Sequence, residues 1–264
     1  MTTPNTIPCA LTIAGSDSGG GAGIQADLQT FAALGVHGTS AITCITAQNP
    51  RRVLGIQPCS AAIVQKQIDA VFSELEPAAV KTGMLYSASL IKAVSHSLRR
   101  FRPVVVVDPV MVSTSGAQLL RPAAVKVLCS ELLPLAALVT PNLQEAEILT
   151  GRRLRSVENL REAARTLHEW FGCAALVKGG HLRGGREAVD IFYDGREELL
   201  LSAPFVRGVS THGTGCTYSA AVTGFLALGL KLPRSVREAK NFITRAIARS
   251  RVTAKHWILN WSGC

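Results

Sequence analysis

The chain has no run of 18 or more apolar residues, and long ones such as Leu132–Val139 are broken by Pro134. A bilayer-spanning helix needs about 20, so no membrane span is expected. Residues 1–10 carry no Lys or Arg ahead of a long apolar stretch, so no signal peptide is expected. The seven cysteines (Cys9, Cys44, Cys59, Cys129, Cys173, Cys216 and Cys264) form no Cys-x-x-Cys pair, which excludes zinc-ribbon spacing. Several sit in apolar runs, as reduced thiols of a cytoplasmic protein do. Charge is scarce, at 17% of residues against 47% apolar, the reverse of a disordered chain. GxxxxGK[ST] and GxSxG occur nowhere, removing a Walker A loop and a nucleophile elbow.

What charge there is has one sign in excess: 28 Lys and Arg against 18 acids, net +10. A basic balance suits a protein that handles phosphates. From Lys231 onward there are eight Lys or Arg and one acid, Glu238. A solvated helix face accounts for that cluster more simply than a nucleic-acid contact.

Short β-branched runs alternate with helical patterns along 264 residues. Strands are expected at Ala10–Ala14, Ala41–Thr46, Ala79–Thr82, Val104–Asp108, Ala136–Thr140 and Ala174–Lys178. Helices are expected near Ile24–Leu34, Ala61–Glu74, Ala88–Arg100, Pro122–Leu132, Leu143–Leu149 and Val157–Phe171, then near Thr217–Leu230 and Ser235–Thr253. Strands apolar on both faces belong to a parallel sheet covered by helices, a doubly wound α/β fold. Asp194-Gly195 between Ala188–Tyr193 and Leu199–Ala203 is a hairpin signal, so an antiparallel edge is expected. No linker or repeat divides residues 1–264, which reads as one domain, with the tail after about residue 251 unassigned.

In such sheets ligands bind beyond the carboxyl ends of the strands, where this sequence gathers its polar and glycine motifs. The run Gly15–Gly23 lacks GxGxxG register. It reads equally as an ordinary turn or as backbone placed to approach a ligand. On a helical wheel with Ile24 at zero, Asp27 falls near 300°, inside the stripe of Leu28, Phe31 and Leu34. A carboxylate there needs a partner; it either supports the helix N-terminus or points at a ligand. Asn142-x-x-Glu145 is at once a capping box and a candidate magnesium–phosphate site. Thr211–Cys216 places glycines ahead of a helix, an anion-binding arrangement. Cys216 at the helix start is expected to have a lowered thiol pKa. Ser89-x-x-Lys92 and Lys81-Thr82-Gly83 imitate β-lactamase motifs in reversed order without SDN. His37, His96, His168 and His256 are dispersed.

Seven segments together carry a resemblance: ALTIAGSDSGGGAGIQADLQTFAALGVHG (10–38), TAQNP (46–50), KTGML (81–85), VVDPVM (106–111), TPNLQEAEILTG (140–151), VKGGH (177–181) and THGTGCTYSAA (211–221). In this order they resemble the hydroxymethylpyrimidine/phosphomethylpyrimidine kinases of thiamine biosynthesis, in the ribokinase superfamily. The resemblance implies a three-layer α/β/α sandwich, usually a homodimer, using ATP and Mg²⁺. The implied reaction phosphorylates 4-amino-5-hydroxymethyl-2-methylpyrimidine and then its monophosphate. Gly15, Asp27, Gln48, Met84 and Val110 would hold the pyrimidine. Gly213, Gly215 and Cys216 would form the catalytic anion hole, with the Cys where sugar kinases carry an Asp base. Asn142, Lys178, Thr211 and Thr214 would meet the nucleotide, and Glu145 and Asp108 the metal.

The chain departs from this pattern in Val112-Ser113-Thr114-Ser115-Gly116, where the family often has Ala-Lys-Ser-Gly or Ala-Thr-Ser-Gly. It departs also in Ser210-Thr211, where Asn-Thr is common, and in the tail VTAKHWILNWSGC. The alternatives are a pyridoxal kinase of the same family and a non-catalytic pyrimidine-binding regulator. No nucleic-acid or membrane partner is implied.

Overall fold

The structure, a computed structural model, describes residues 6–113, 116, 118–180, 182, 187–206, 208, 209 and 212–264. Thr211 lies outside the described residues, as do Thr114, Ser115, His181 and Ser210.

The sheet forms where β-branched runs can be buried on both faces. Strands β1 (Cys9–Ala14) and β2 (His37–Ile42) flank helix α1 (Gly23–Ala33). A hairpin of β3 (Cys44–Asn49) and β4 (Arg52–Pro58) follows, then α2 (Ala61–Glu74), β5 (Ala79–Thr82), α3 (Ala88–Phe101) and β6 (Val104–Val107). Helix α4 (Pro122–Val127) continues in looser and tighter turns to Leu135. Next come β7 (Leu138–Val139), α5 (Leu143–Thr150), α6 (Val157–Phe171) and β8 (Ala174–Lys178). The chain ends with β9 (Glu187–Tyr193), β10 (Glu198–Pro204), α7 (Thr214–Ala227), α8 (Leu232–Ala248) and the pair β11 (Arg251–Thr253) and β12 (His256–Ile258).

The main sheet has the order β10-β9-β8-β7-β6-β5-β1-β2. Its strands run parallel from β2 to β8, and β9 and β10 form the expected antiparallel edge. Alternate residues of one strand serve opposite layers. Val105 and Val107 join the cluster under α2 to α6, while Val106 joins Tyr218, Val222 and Phe242 under α7 and α8. The result is the three-layer α/β/α sandwich. No helix among the described residues is long and apolar enough to cross a membrane.

Three expectations need correcting. The strand expected at Ala41–Thr46 is two strands. The chain leaves the main sheet at Thr43, whose N–H donates to the Ala14 carbonyl (3.0 Å) and whose carbonyl accepts from Cys59 (2.9 Å). Asn49 then turns the hairpin by accepting from the N–H groups of Arg51 and Arg52 (2.9 and 3.1 Å). Helix α7 begins three residues earlier than expected, because Gly213 caps it at φ 80°, a conformation that favours glycine. The last helix ends at Ala248, and the expected continuation to Thr253 is the β11–β12 hairpin.

Candidate active site

Parallel register places the carboxyl ends of β1, β5, β6, β7 and β8 on one edge, and nearly every functional candidate is there. The turn after β1 is organised by Asp17. Its Oδ1 accepts from Gly19 N (2.8 Å), and its Oδ2 from Gly21 N (3.2 Å) and Ala22 N (2.9 Å). His212 Nε2 lies 3.0 Å from the same Oδ2. Burial would push the Asp17 carboxyl up, but His212, Gly19 and Ala22 outweigh it and hold the pKa below the usual value. The turn is stitched to β3: Thr46 Oγ1 donates to the Ser16 carbonyl (2.6 Å), and Ser18 exchanges hydrogen bonds with the Gln48 backbone (2.7 and 2.8 Å).

Gly15, Met84 and Cys44 meet at the start of this turn. A Cβ on Gly15 would stand 3.1 Å from Met84 Sδ, so only glycine leaves that space open. Met84 is held by Thr43, whose hydroxyl donates to its carbonyl (2.6 Å). Gln48 is half-buried on the hairpin, at the register shift of β3, with Oε1 accepting from Thr46 Oγ1 (3.3 Å). It therefore sits on the small sheet rather than at the end of a main-sheet strand. Val110 is half-buried after β6.

Asp27 has its partners inside the protein. Lys81 Nζ donates to both carboxylate oxygens (2.8 Å each), and Thr12 Oγ1 donates to Oδ2 (2.6 Å). Both charged side chains are fully buried. Burial would lower the Lys81 pKa, but Asp27 raises it above the ordinary lysine range. Thr12 and Lys81 are directly paired across β1 and β5, so the cluster lies in the α1/α7 layer just under the site.

Beyond β6, Asp108 accepts from Lys178 Nζ (3.1 Å) and Thr140 (3.2 Å) at Oδ1 and from Ser219 (3.2 Å) at Oδ2. Burial would raise its pKa; Lys178 and Lys81 overcome that and lower it. Glu145 closes the capping box, with Oε2 accepting from Asn142 N and its own N–H donating to Asn142 Oδ1 (2.9 Å each). Its other oxygen accepts from Met111 N (3.3 Å). Burial, and then repulsion from Asp108, push the Glu145 pKa up to about 7. Lys178 is held charged by Asp108 and Glu145 against the effect of burial.

The loop opening α7 closes the arrangement. A Cβ on Gly213 would overlap the Gly21 carbonyl oxygen, so the two glycine turns pack backbone to backbone. A Cβ on Gly215 would stand 3.4 Å from Lys178 Nζ. Thr214 and Cys216 occupy the first turn of the helix and are half-buried. The thiol pKa is pushed up to about 11, against the expectation of a lowered value. Burial dominates, Asp27 and Asp108 add to it, and Lys81 and the Gly23 N–H only partly oppose it. The helix terminus acts on this thiol too, but burial wins.

Gly15, Met84, the Gly213–Cys216 loop, Lys178, Asp108, Asn142 and Glu145 thus share one edge. Two surface cavities lie elsewhere. One, of about 350 Å³, is lined by α2 and α3, and the other, of about 490 Å³, by α1 and the C-terminal segment. Asp17, Lys81 and His212 were not singled out by the sequence. The sequence signalled that Asp27 needs a partner, because it falls in the apolar stripe of α1, but not that Lys81 is that partner.

The sequence profile of the phosphomethylpyrimidine kinase family matches residues 17–260. A hydroxymethylpyrimidine/phosphomethylpyrimidine kinase from Rhizobium meliloti (strain 1021) is 53% identical over 240 residues, 90% of this chain and 90% of that protein. The crystal structure of Bacillus subtilis pyridoxal kinase in an ADP complex superimposes with a TM-score of 0.89 at 37% identity, covering 97% of each chain. Phosphomethylpyrimidine kinase from Clostridium difficile 630 superimposes with a TM-score of 0.81 at 42% identity, over 92% of this chain and 100% of that one. With a profile match over most of its length and a relative this similar across nine-tenths of both chains, the chain belongs to the phosphomethylpyrimidine kinase family.

Proposed function

We propose that the protein is a kinase that transfers the γ-phosphoryl group of ATP to the hydroxymethyl oxygen of 4-amino-5-hydroxymethyl-2-methylpyrimidine. It then phosphorylates the monophosphate to the diphosphate, in thiamine biosynthesis. The observation that carries the reading is the contact between the two glycine turns, Gly213 against the Gly21 carbonyl and His212 against Asp17. It brings an anion-binding loop beside a turn that leaves open space at Gly15.

Phosphoryl transfer is mostly positioning and charge stabilisation, and these residues supply both. Met84 and Val110 pack against the faces of the ring, and the Gln48 amide matches its donors and acceptors. Asp27 acts from beneath, by holding Lys81. Backbone N–H groups from Gly213 to Cys216 stabilise charge on the transferring group. Lys178, Asn142, Thr211 and Thr214 serve the nucleotide, and Cys216 accepts the hydroxymethyl proton.

The carboxylates of Asp108 and Glu145 repel each other. A divalent cation at that end of the site would relieve the repulsion. Mg²⁺ keeps most of its water and needs only one or two carboxylates beside the phosphates, so this donor set fits it. The cation would supply charge neutralisation for the phosphates.

Homodimer formation is supported by the β3–β4 hairpin, which exposes Ile45 and Leu54. A cytoplasmic location is in keeping with seven free thiols.

The deciding experiment is coupled ADP release with Mg²⁺·ATP and the pyrimidine, its monophosphate and pyridoxal in parallel. Turnover of both pyrimidines above pyridoxal is expected. Pyridoxal turned over far better than either would overturn the substrate assignment, and no ADP release with any would overturn the kinase.

A further inference from the structure

We propose that the C-terminal segment Arg251–Cys264 is a positioning element of the phosphoryl-transfer site, acting through Trp261 on the first turn of α7. This rests on the reading of Gly213–Cys216 as the reaction centre.

After the β11–β12 hairpin the chain turns inward, burying Leu259 and Trp261. The indole Nε1 of Trp261 donates to Thr217 Oγ1 at 3.1 Å, in a buried contact across 44 residues. Thr217 is fully buried and directly follows Cys216. Leu259 and Trp261 also belong to the apolar cluster of Tyr218, Val222 and Phe242, against which Cys216 itself packs. The segment is anchored independently at the C-terminal end of α8 and by a contact within itself. Asn260 N donates to the Ala246 carbonyl (3.3 Å), Arg249 donates to the Gly263 carbonyl, and the Cys264 thiol donates to the Asn260 carbonyl (3.2 Å).

A buried indole N–H needs an acceptor. Here it takes one on the turn that carries the candidate base. Along the axis the turn is held by the Thr217 N–H, which donates to the Gly213 carbonyl (2.9 Å). Trp261 adds a constraint from the side, fixing the rotation of the turn and with it the aim of the loop and the thiol. Displacements of about 1 Å are enough to cost catalysis heavily.

The test is Trp261→Phe, which keeps apolar bulk and removes the N–H, with Thr217→Val as a second variant that removes the acceptor and leaves Trp261 in place. Two readouts are taken on the whole chain. The first is steady-state turnover with Mg²⁺·ATP and the pyrimidine. The second is the rate of iodoacetamide alkylation at Cys216, followed by peptide mass spectrometry. Losing one hydrogen bond predicts kcat lower by roughly 3- to 10-fold, with KM for the pyrimidine changed less than about twofold. Cys216 should be alkylated faster, because the turn is no longer held. A purely structural role would lower the melting temperature and leave kcat and the alkylation rate unchanged, and that result in both variants overturns the proposal. If the unmodified protein releases no ADP with any acceptor, the kinase reading fails, and the alkylation rate alone decides this one: faster in either variant sustains it, unchanged in both overturns it.

Discussion

His212 and Asp17, 195 residues apart, meet with Nε2 at 3.0 Å from Oδ2. The contact joins the acceptor turn to the anion loop, so it sets the distance between the two halves of the proposed reaction. His212→Ala should lower kcat/KM for the pyrimidine by roughly 10- to 100-fold, the worth of a hydrogen bond to a charged group. The pH dependence of stability follows from the depressed pKa of Asp17. Its contribution is present above the ordinary carboxylate value and lost as pH falls through the lower, folded value. Acid unfolding of Asp17→Asn should therefore show a shallower loss below about pH 4 than the unmodified protein. Equal acid midpoints and slopes would show that Asp17 adds nothing.

Lys81 and Asp27 form a pair with no exposed surface on either side chain. Breaking it leaves one buried charge uncompensated, which costs about 3–5 kcal/mol. Lys81→Met alone should lose that much in denaturant unfolding. The double variant Lys81→Met with Asp27→Leu should recover most of it, since apolar replacement of both partners is often neutral. A double variant no more stable than the single one would refute the pairing as the source of the loss.

Glu145 gives the opposite pH trend to Asp17. Its folded pKa is raised from 4.5 to about 7, so the protonated form is favoured by folding. That contribution is complete below the ordinary value and disappears as pH rises through about 7. The melting temperature of the ligand-free protein should therefore fall between about pH 5 and pH 7 and level off above that, and Glu145→Gln should flatten the slope. Mg²⁺·ATP should offset the fall in the unmodified protein if Glu145 faces the cation. An unchanged slope in Glu145→Gln would assign the trend to another group.

Much of the scaffold was legible in the sequence because its signals are local. Helices α2 and α6 begin after Ser60 and Ser156, whose hydroxyls accept from residues three on, and α6 stops at Gly172 in the left-handed region. The Asn142–Glu145 capping box is complete in the structure. What was missed depends on tertiary contacts. AITCIT is one apolar run in sequence, and it breaks at Thr43 only because Ala14 and Cys59 bind that backbone. Asn49-Pro50 was nevertheless a turn signal. The partner of Asp27 follows from the register of β1 and β5, which sets Thr12 beside Lys81, and no spacing along the chain reveals it. The Cys216 thiol was misread because the helix terminus is visible in sequence, whereas Asp27, Asp108 and burial converge only in three dimensions.

Gln48 approaches from the β3–β4 hairpin, apart from the residues proposed for the nucleotide. Gln48→Ala should weaken pyrimidine binding by about 1–3 kcal/mol, the cost of stranding a buried partner, and change ATP binding far less. Separate titrations with the pyrimidine and with a non-hydrolysable ATP analogue measure this. Equal losses for both ligands would make Gln48 a support of the hairpin instead.

The Cys216 thiol, with its pKa pushed up to about 11, is protonated at neutral pH in the ligand-free protein. If its thiolate is the base, turnover must draw on a small ionised fraction. In the unmodified protein kcat should then rise with pH, close to tenfold per unit, from about pH 6 to pH 9. Cys216→Ser keeps the size but offers a far weaker base, and should lower kcat by roughly 10²- to 10⁴-fold with pyrimidine binding little changed. Cys216→Asp supplies a carboxylate that is already ionised in this range. It should recover part of the loss and show a flatter profile, although Asp27 and Asp108 nearby will raise its pKa in turn. Three profiles, measured under saturating Mg²⁺·ATP, separate the possibilities. A steep rise in the unmodified protein that vanishes in Cys216→Asp identifies the thiolate as the base. The same slope in all three variants would move the titration to another group, and lost binding with unchanged turnover would make Cys216 a wall of the pocket.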